Sequence, residues 1–164
     1  MKISEFQKQQ RKWVQTNFNF KKTWRSALEP LAGIVEEYGE YLSSVTKEEH
    51  IDALADMGIF LTDVANRIGY NLVEPDLSHP KFQFTYFNET LGELSHCILK
   101  MAQGIRQDEP HEITAHKKIE ELFRILVSWS YTKYGLSYYS EILFPTWEEI
   151  VSKRNWNKER ESNA

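Results

Sequence analysis

Apolar side chains recur along this chain at alternating intervals of three and four residues, the spacing of one face of an α-helix. Leu28, Leu31, Val35, Tyr38, Leu42 and Val45 keep that rhythm through one segment and predict a packing seam. Leu54, Met57, Leu61, Val64 and Ile68 keep it through the next, which starts at Thr46 and which Gly69 is placed to end. Residues 72–80 then gather Pro75, Asp76, Ser78 and Pro80, a loop that splits the chain into halves. The rhythm resumes with Phe87, Leu91, Leu94, Ile98, Met101 and Ile105. After a turn over 103–110 it returns in Ile119, Leu122, Leu126 and Trp129, within a helix predicted over 112–133. A shorter helix is predicted over 4–16, a short aromatic stretch over 135–144, and a last helix over 145–157. Helix starts are marked by Ser4 with Gln7, Ser26 with Glu29, Thr46 with Glu49, and Thr146 with Glu149, each with the spacing of a capping box.

The pattern predicts an all-α helical bundle in a single domain over 1–158, with a polar, frayed tail over 159–164. Glu89-Thr90-Leu91-Gly92-Glu93-Leu94 echoes Glu37-Tyr38-Gly39-Glu40-Tyr41-Leu42 in its spacing of Gly, Glu and Leu. The echo reads equally as degenerate halves, 1–72 and 81–158, or as chance likeness between two amphipathic helices.

Composition narrows the class. A chain of 164 residues, 41% hydrophobic and 13% aromatic, has enough apolar surface for one core and is too apolar for disorder. Sparse glycine and proline favour helices over a turn-rich β fold. A net charge of −4 offers no basic field to a nucleic-acid polymer. The one cysteine, Cys97, excludes an internal disulfide, fits a reducing compartment and sits among apolar neighbours as a core residue. No apolar run approaches the ~20 residues that span a bilayer. Met1-Lys2-Ile3-Ser4-Glu5 opens into polar amphipathic sequence with no signal peptide, so the cytoplasm is the expected location.

The polar positions carry the chemistry. Glu36, Glu37 and Glu40 span about 100° of one helix, and Glu49, Asp52, Asp56 and Asp63 share a stripe about 60° wide on the next. Charge runs are ordinarily solvated faces. Against that, like charges four apart repel, and Glu36, Glu37, Asp52 and Asp56 have no Lys or Arg at i+4. Packed antiparallel, the two helices would turn their carboxylates toward one another. All-oxygen donors at that density suit a hard cation, Mg²⁺ or Mn²⁺.

Glu36-Glu37-Tyr38-Gly39-Glu40, followed by Asp56 in Leu54-Ala55-Asp56-Met57, resembles the E-E-x-x-E and E-x-x-D signature of the all-α MazG-like nucleoside triphosphate pyrophosphohydrolases. The resemblance covers residues 28–72, and segments 91–106 and 146–156 look like the phage-type branch. One position departs: Ala53 stands where the signature has Glu, and the acid comes one residue earlier, at Asp52. The resemblance implies hydrolysis of a (deoxy)nucleoside triphosphate to a monophosphate and pyrophosphate, with Mg²⁺ as cofactor. A purine deoxynucleotide such as dGTP is the leading substrate. It also implies a homodimer or homotetramer, with no membrane or nucleic-acid partner, acting in the host cytoplasm if phage-encoded. By motif position the implied metal ligands are Glu37, Glu40 and Asp56 with Asp52 as a fourth, and Glu36 serves as ligand or base.

Triphosphates call for cations opposite the acids. Lys153 and Asn157 resemble a K-x-x-x-N pattern of that family, and Lys100 and Arg106 gather near another helix end. A solvated helix terminus explains each cluster as well. Trp24, with Trp13, Phe18 and Phe20, offers flat apolar surface for a base or else belongs to a core or dimer interface, and Gln15, Asn17 and Asn19 are candidate base readers. A di-iron carboxylate bundle needs two Glu-x-x-His motifs, and only Glu93 with His96 qualifies. A non-enzymatic helical interaction module and a phosphoribosyl-ATP pyrophosphohydrolase remain as alternatives.

Overall fold

The computed structural model describes residues 1–75 and 84–163. The helices are α1 (Ile3–Asn17), α2 (Leu28–Ser43), α3 (Lys47–Ile68), α4 (Phe84–Gln103), α5 (His111–Tyr134), α6 (Phe144–Glu149) and α7 (Trp156–Ser162), and no strand occurs among the described residues. The all-α expectation holds. Asp76, Ser78 and Pro80 of the expected mid-chain loop lie outside the described residues. No described helix is long and apolar enough to cross a membrane.

Helices α2 and α3 form an antiparallel hairpin across the tight link at 44–46. Tyr41 stacks near His50, with ring centroids 4.5 Å apart. Farther along, a Cβ on Gly33 would fall 2.6 Å from the Phe60 ring. Arg67 reaches Glu29 at 3.8 Å. Numbers that rise on one helix as they fall on the other establish the direction. Thr46 Oγ1 accepts the Glu49 N–H at 3.2 Å, and the Glu49 carboxylate accepts the Val45 N–H at 3.3 Å, so this predicted box does start α3. The other boxes do not form. Glu5 caps α1 by accepting the Lys2 N–H at 3.1 Å, which puts Ser4 inside the helix. Ser26 turns its hydroxyl to the Lys21 and Thr23 carbonyls, and Thr146 lies within α6 behind Pro145.

Helices α4 and α5 form a second antiparallel hairpin. Lys118 Nζ meets Glu93 at 2.7 Å at one level, and Phe87 meets Trp129 at 5.5 Å between centroids at another. Tyr38 against Phe87, 4.8 Å apart, joins the two hairpins. Helix α1 crosses α3, where Gln7 Nε2 donates to the Tyr70 carbonyl at 2.7 Å and Asn66 Nδ2 to Gln10 Oε1 at 2.8 Å. Helix α3 lies at the centre: Leu54, Met57, Leu61 and Val64 are all buried, as their spacing predicts. Gly69, at φ +77°, ends it.

The seam of α2 differs from its prediction. Leu31, Ile34, Glu37 and Tyr41 face inward, while Val35, Leu42 and Val45 are 55%, 60% and 90% exposed. Apolar residues at 31, 34 and 41 and at 31, 35 and 42 give two overlapping registers on one helix. Packing takes the one that seats Phe60 over Gly33. The last helix differs as well. It stops at Glu149, passes through one tight turn at Val151–Lys153, and restarts at Trp156 under an Asn155 side chain that accepts the Lys158 N–H at 3.1 Å. Residues 159–162, expected to fray, are the body of α7. The aromatic stretch coils into a wide π-type turn at Tyr138–Leu143. There the buried Tyr138 hydroxyl donates to the Leu54 carbonyl at 2.8 Å. Only glycine permits that crossing, because a Cβ on Gly58 would lie 2.0 Å from the Tyr138 oxygen.

Candidate functional site

The acids of α2 and α3 converge. Glu36, Glu37 and Glu40 follow i, i+1, i+4 spacing, and one carboxylate oxygen from each lies within 4.8 Å of the other two. Helix register turns Glu37 inward, to 7% exposure, where it faces Asp56 of α3. Burial pushes the Glu37 pKa up to about 8, helped by the charges of Asp56 and Glu40, a hydrogen bond with Glu40, and the charge of Glu36. Burial also lifts Asp56 to about 6, against the pull of Arg154 and with the push of Asp52 and Glu40. Asp52 is raised by burial and lowered by Arg154. Carboxylates thus outnumber the guanidinium beside them, and one of them is buried.

A cavity of about 400 Å³ opens beside this cluster. Glu36, Glu37 and Asp56 supply its acidic wall, and Trp13, Phe18, Phe60 and Trp156 its aromatic one, with Arg154 at the side. The break between α6 and α7 builds half of it. Extended backbone at Arg154 and Asn155 folds the chain back onto α1, where Trp13 Nε1 donates to the Arg154 carbonyl at 3.1 Å and the Trp156 N–H donates to Asn17 Oδ1 at 2.8 Å. The Arg154 guanidinium lies 5.8 Å over the Trp156 ring.

Asp63 lines the same cavity but is already paired. The buried Arg67 donates from Nε to its Oδ1 at 2.8 Å and stands 5.5 Å over the Phe20 ring. That pair was legible as an i,i+4 Asp–Arg spacing. Glu49 is occupied as a cap. Of the aromatic group expected to meet a base, Trp13 and Phe18 line the cavity. Phe20, Trp24 and the expected cations do not reach it. Lys153 is exposed, one residue from Arg154, which does. Asn157 Nδ2 donates to the Thr16 carbonyl at 2.5 Å and pins α7 to α1. Lys100 sits on α4 beside Gln103, at 3.4 Å, and Arg106 lies in the α4–α5 turn. Trp24 is half-buried ahead of α2, packed on the core. Asn17 is committed to Trp156 and to the Trp13 carbonyl. Sequence reasoning missed Arg154, Trp156 and Phe60. In the sequence Trp156 is only a neighbour of Lys153 and Arg154, and Arg154 reaches the cavity through a helix break.

An all-oxygen donor set with a buried, mutually repelling carboxylate at its centre fits a hard divalent cation, which would relieve the repulsion. The di-iron arrangement does not fit. Glu93 is held by Lys118, and His96 meets Glu109 instead, at 3.3 Å. No family model, no curated protein and no solved structure matches this chain.

Proposed function

We propose that this chain is a Mg²⁺-dependent nucleoside triphosphate pyrophosphohydrolase of the MazG-like kind, cleaving a (deoxy)nucleoside triphosphate to a monophosphate and pyrophosphate. The observation that carries the reading is the buried Glu37, clustered with Glu36 and Glu40 and within electrostatic reach of Asp56 at the wall of an aromatic cavity. Glu37, Glu40 and Asp56 would hold the metal, with Asp52 in place of the Glu absent at Ala53. Bound there, Mg²⁺ supplies charge neutralisation on the phosphates and acidifies water. Glu36, exposed beside Glu37, is free to take a proton from the attacking water. Arg154 offers charge to the phosphate oxygens. Trp13, Phe18 and Trp156 give a base flat surfaces to stack on, and the cavity volume suits a nucleoside. A purine deoxynucleotide, dGTP first, uses that surface most fully.

Self-association belongs to the same proposal. Val35 and Leu42, two turns apart on the outer face of α2, and Val45 beyond it form an exposed apolar stripe that a second copy could cover.

The test is pyrophosphate release from a panel of ribo- and deoxynucleoside triphosphates, with Mg²⁺ and with EDTA. Metal-dependent release from one or a few of them is the expected result. Silence across the panel from folded protein overturns it and favours the phosphoribosyl-ATP relative or the interaction module.

A further inference from the structure

A second cluster lies at the α4–α5 turn, and none of its residues lines the acidic cavity. His96 projects from α4, His111 opens α5, and Glu109 sits in the link between them. One ligand atom from each lies within 4.8 Å of the other two. His96 Nε2 is 3.3 Å from Glu109 Oε2, and His111 Nε2 is 3.6 Å from that same oxygen. The Arg106 carbonyl accepts from His111 Nε2 at 2.8 Å, a hydrogen bond that fixes the ring beside Glu109.

We infer that His96, Glu109 and His111, with water in the fourth position, form a Zn²⁺ site that clips the α4–α5 turn. Donors held about 2.0–2.1 Å from a tetrahedral ion stand about 3.3–3.4 Å apart along each edge of the tetrahedron. The two histidine-to-glutamate distances bracket that edge. The protons fit the same picture. His111 is buried, and its Nε2 donates to the Arg106 carbonyl at 2.8 Å with Glu109 Oε2 standing by at 3.6 Å. The cation takes the place of that Nε2 proton, and the ring keeps its remaining proton on Nδ1. Arg106 is the one non-glycine at positive φ among the described residues, at +54°, and that conformation accompanies the turn of its carbonyl toward His111.

Ligand chemistry separates this site from the acidic cluster. Two imidazoles and a carboxylate suit Zn²⁺, whereas carboxylates alone suit Mg²⁺. His96 and Glu109 are 41% and 45% exposed at their side chains, which gives an ion a way in. The bound ion would close the loop between residues 96 and 111 and tie the start of α5 to α4.

The experiment is calorimetric titration of Zn²⁺ into the metal-stripped full chain, with excess Mg²⁺ present to occupy the acidic cluster. The expected result is one Zn²⁺ per chain, retained in Glu40→Gln and weakened roughly tenfold or more in His96→Ala and in Glu109→Gln. Both substituted positions are exposed, so the fold survives their loss. Co²⁺ in place of Zn²⁺ should give a visible ligand-field band that His96→Ala removes. Zn²⁺ affinity equal in wild type and both variants overturns the site, as does the absence of uptake under excess Mg²⁺. In the latter case the cluster is a plain histidine–glutamate hydrogen bond.

Discussion

Glu37 is where sequence and solvent conflict most sharply. A glutamate at 7% exposure among Glu36, Glu40 and Asp56 keeps its proton up to about pH 8, far above the ordinary 4.5. Between those values the folded chain binds a proton that the unfolded chain releases, so stability falls as pH rises. The stabilising contribution is complete below 4.5 and gone above about 8; Asp56 adds to it over the lower window, up to about 6. The thermal midpoint of EDTA-treated protein should therefore drop between pH 5 and pH 9, and Glu37→Gln should flatten that slope. A midpoint that rises across the window contradicts the burial of an uncompensated carboxyl. Cations bind the deprotonated cluster, so Mg²⁺ should raise the midpoint more at pH 8.5 than at pH 5.5. In turnover, Glu40→Gln or Asp56→Asn should abolish pyrophosphate release with the helical circular dichroism intact, and Glu36→Gln should slow it by roughly a hundredfold. Full activity in the Glu40 or Asp56 variant removes the metal-site assignment. These acids were legible in the sequence because carboxylates four apart without a basic partner are costly on a solvated helix. Arg154 was not, since its approach to Asp56 is set by the chain folding back after Lys153.

At the scale of elements, periodicity located the helices and misjudged how two of them pack. The spacing in α3 permits one buried face, and Leu54 through Val64 occupy it. In α2 two registers compete, and the contact between Gly33 and Phe60 selects the one that sends Val35 and Leu42 outward. The final helix reads as continuous because Trp147, Val151 and the residues around them keep helical spacing. What breaks it is tertiary: Trp13 takes the Arg154 carbonyl and Asn17 takes the Trp156 N–H, both bonds that an unbroken helix would have needed for itself. Close approaches of this kind make sharp predictions. Gly58→Ala puts a methyl 2.0 Å from the Tyr138 oxygen and must displace the π-type turn. A cost of about 1–3 kcal/mol in urea unfolding is expected. Gly92→Ala, with nothing within 4 Å of the new methyl, should instead stabilise α4 by about 0.5–1 kcal/mol. Equal effects at the two glycines would mean that the Tyr138 crossing does not constrain α3.

Across the whole molecule the two hairpins have parallel designs and opposite electrostatics. The echo between the stretches at 37–42 and 89–94 falls on α2 and α4, corresponding first helices of α2–α3 and α4–α5. In the second hairpin Lys118 neutralises Glu93 at 2.7 Å and Glu121 at 3.0 Å, and no carboxylate cluster like that of α2 forms among its described residues. In the first, the carboxylates share one nearby guanidinium, so a hard cation would relieve repulsion there and not in the second. Its outer face also carries exposed apolar side chains. Val35, Leu42 and Val45 together expose a surface that solvent alone does not favour, on the same helix that carries Glu36, Glu37 and Glu40. If a second copy covers it, Leu42→Lys should lower the mass measured by light scattering toward that of one chain while leaving the helical signal unchanged. Pyrophosphate release should then fall only as far as α2 relies on its neighbour for support. A wild-type protein that is already monomeric at micromolar concentration would leave the stripe facing solvent, and the acidic site would have to stand on a single α2–α3 hairpin braced by α1 and α4.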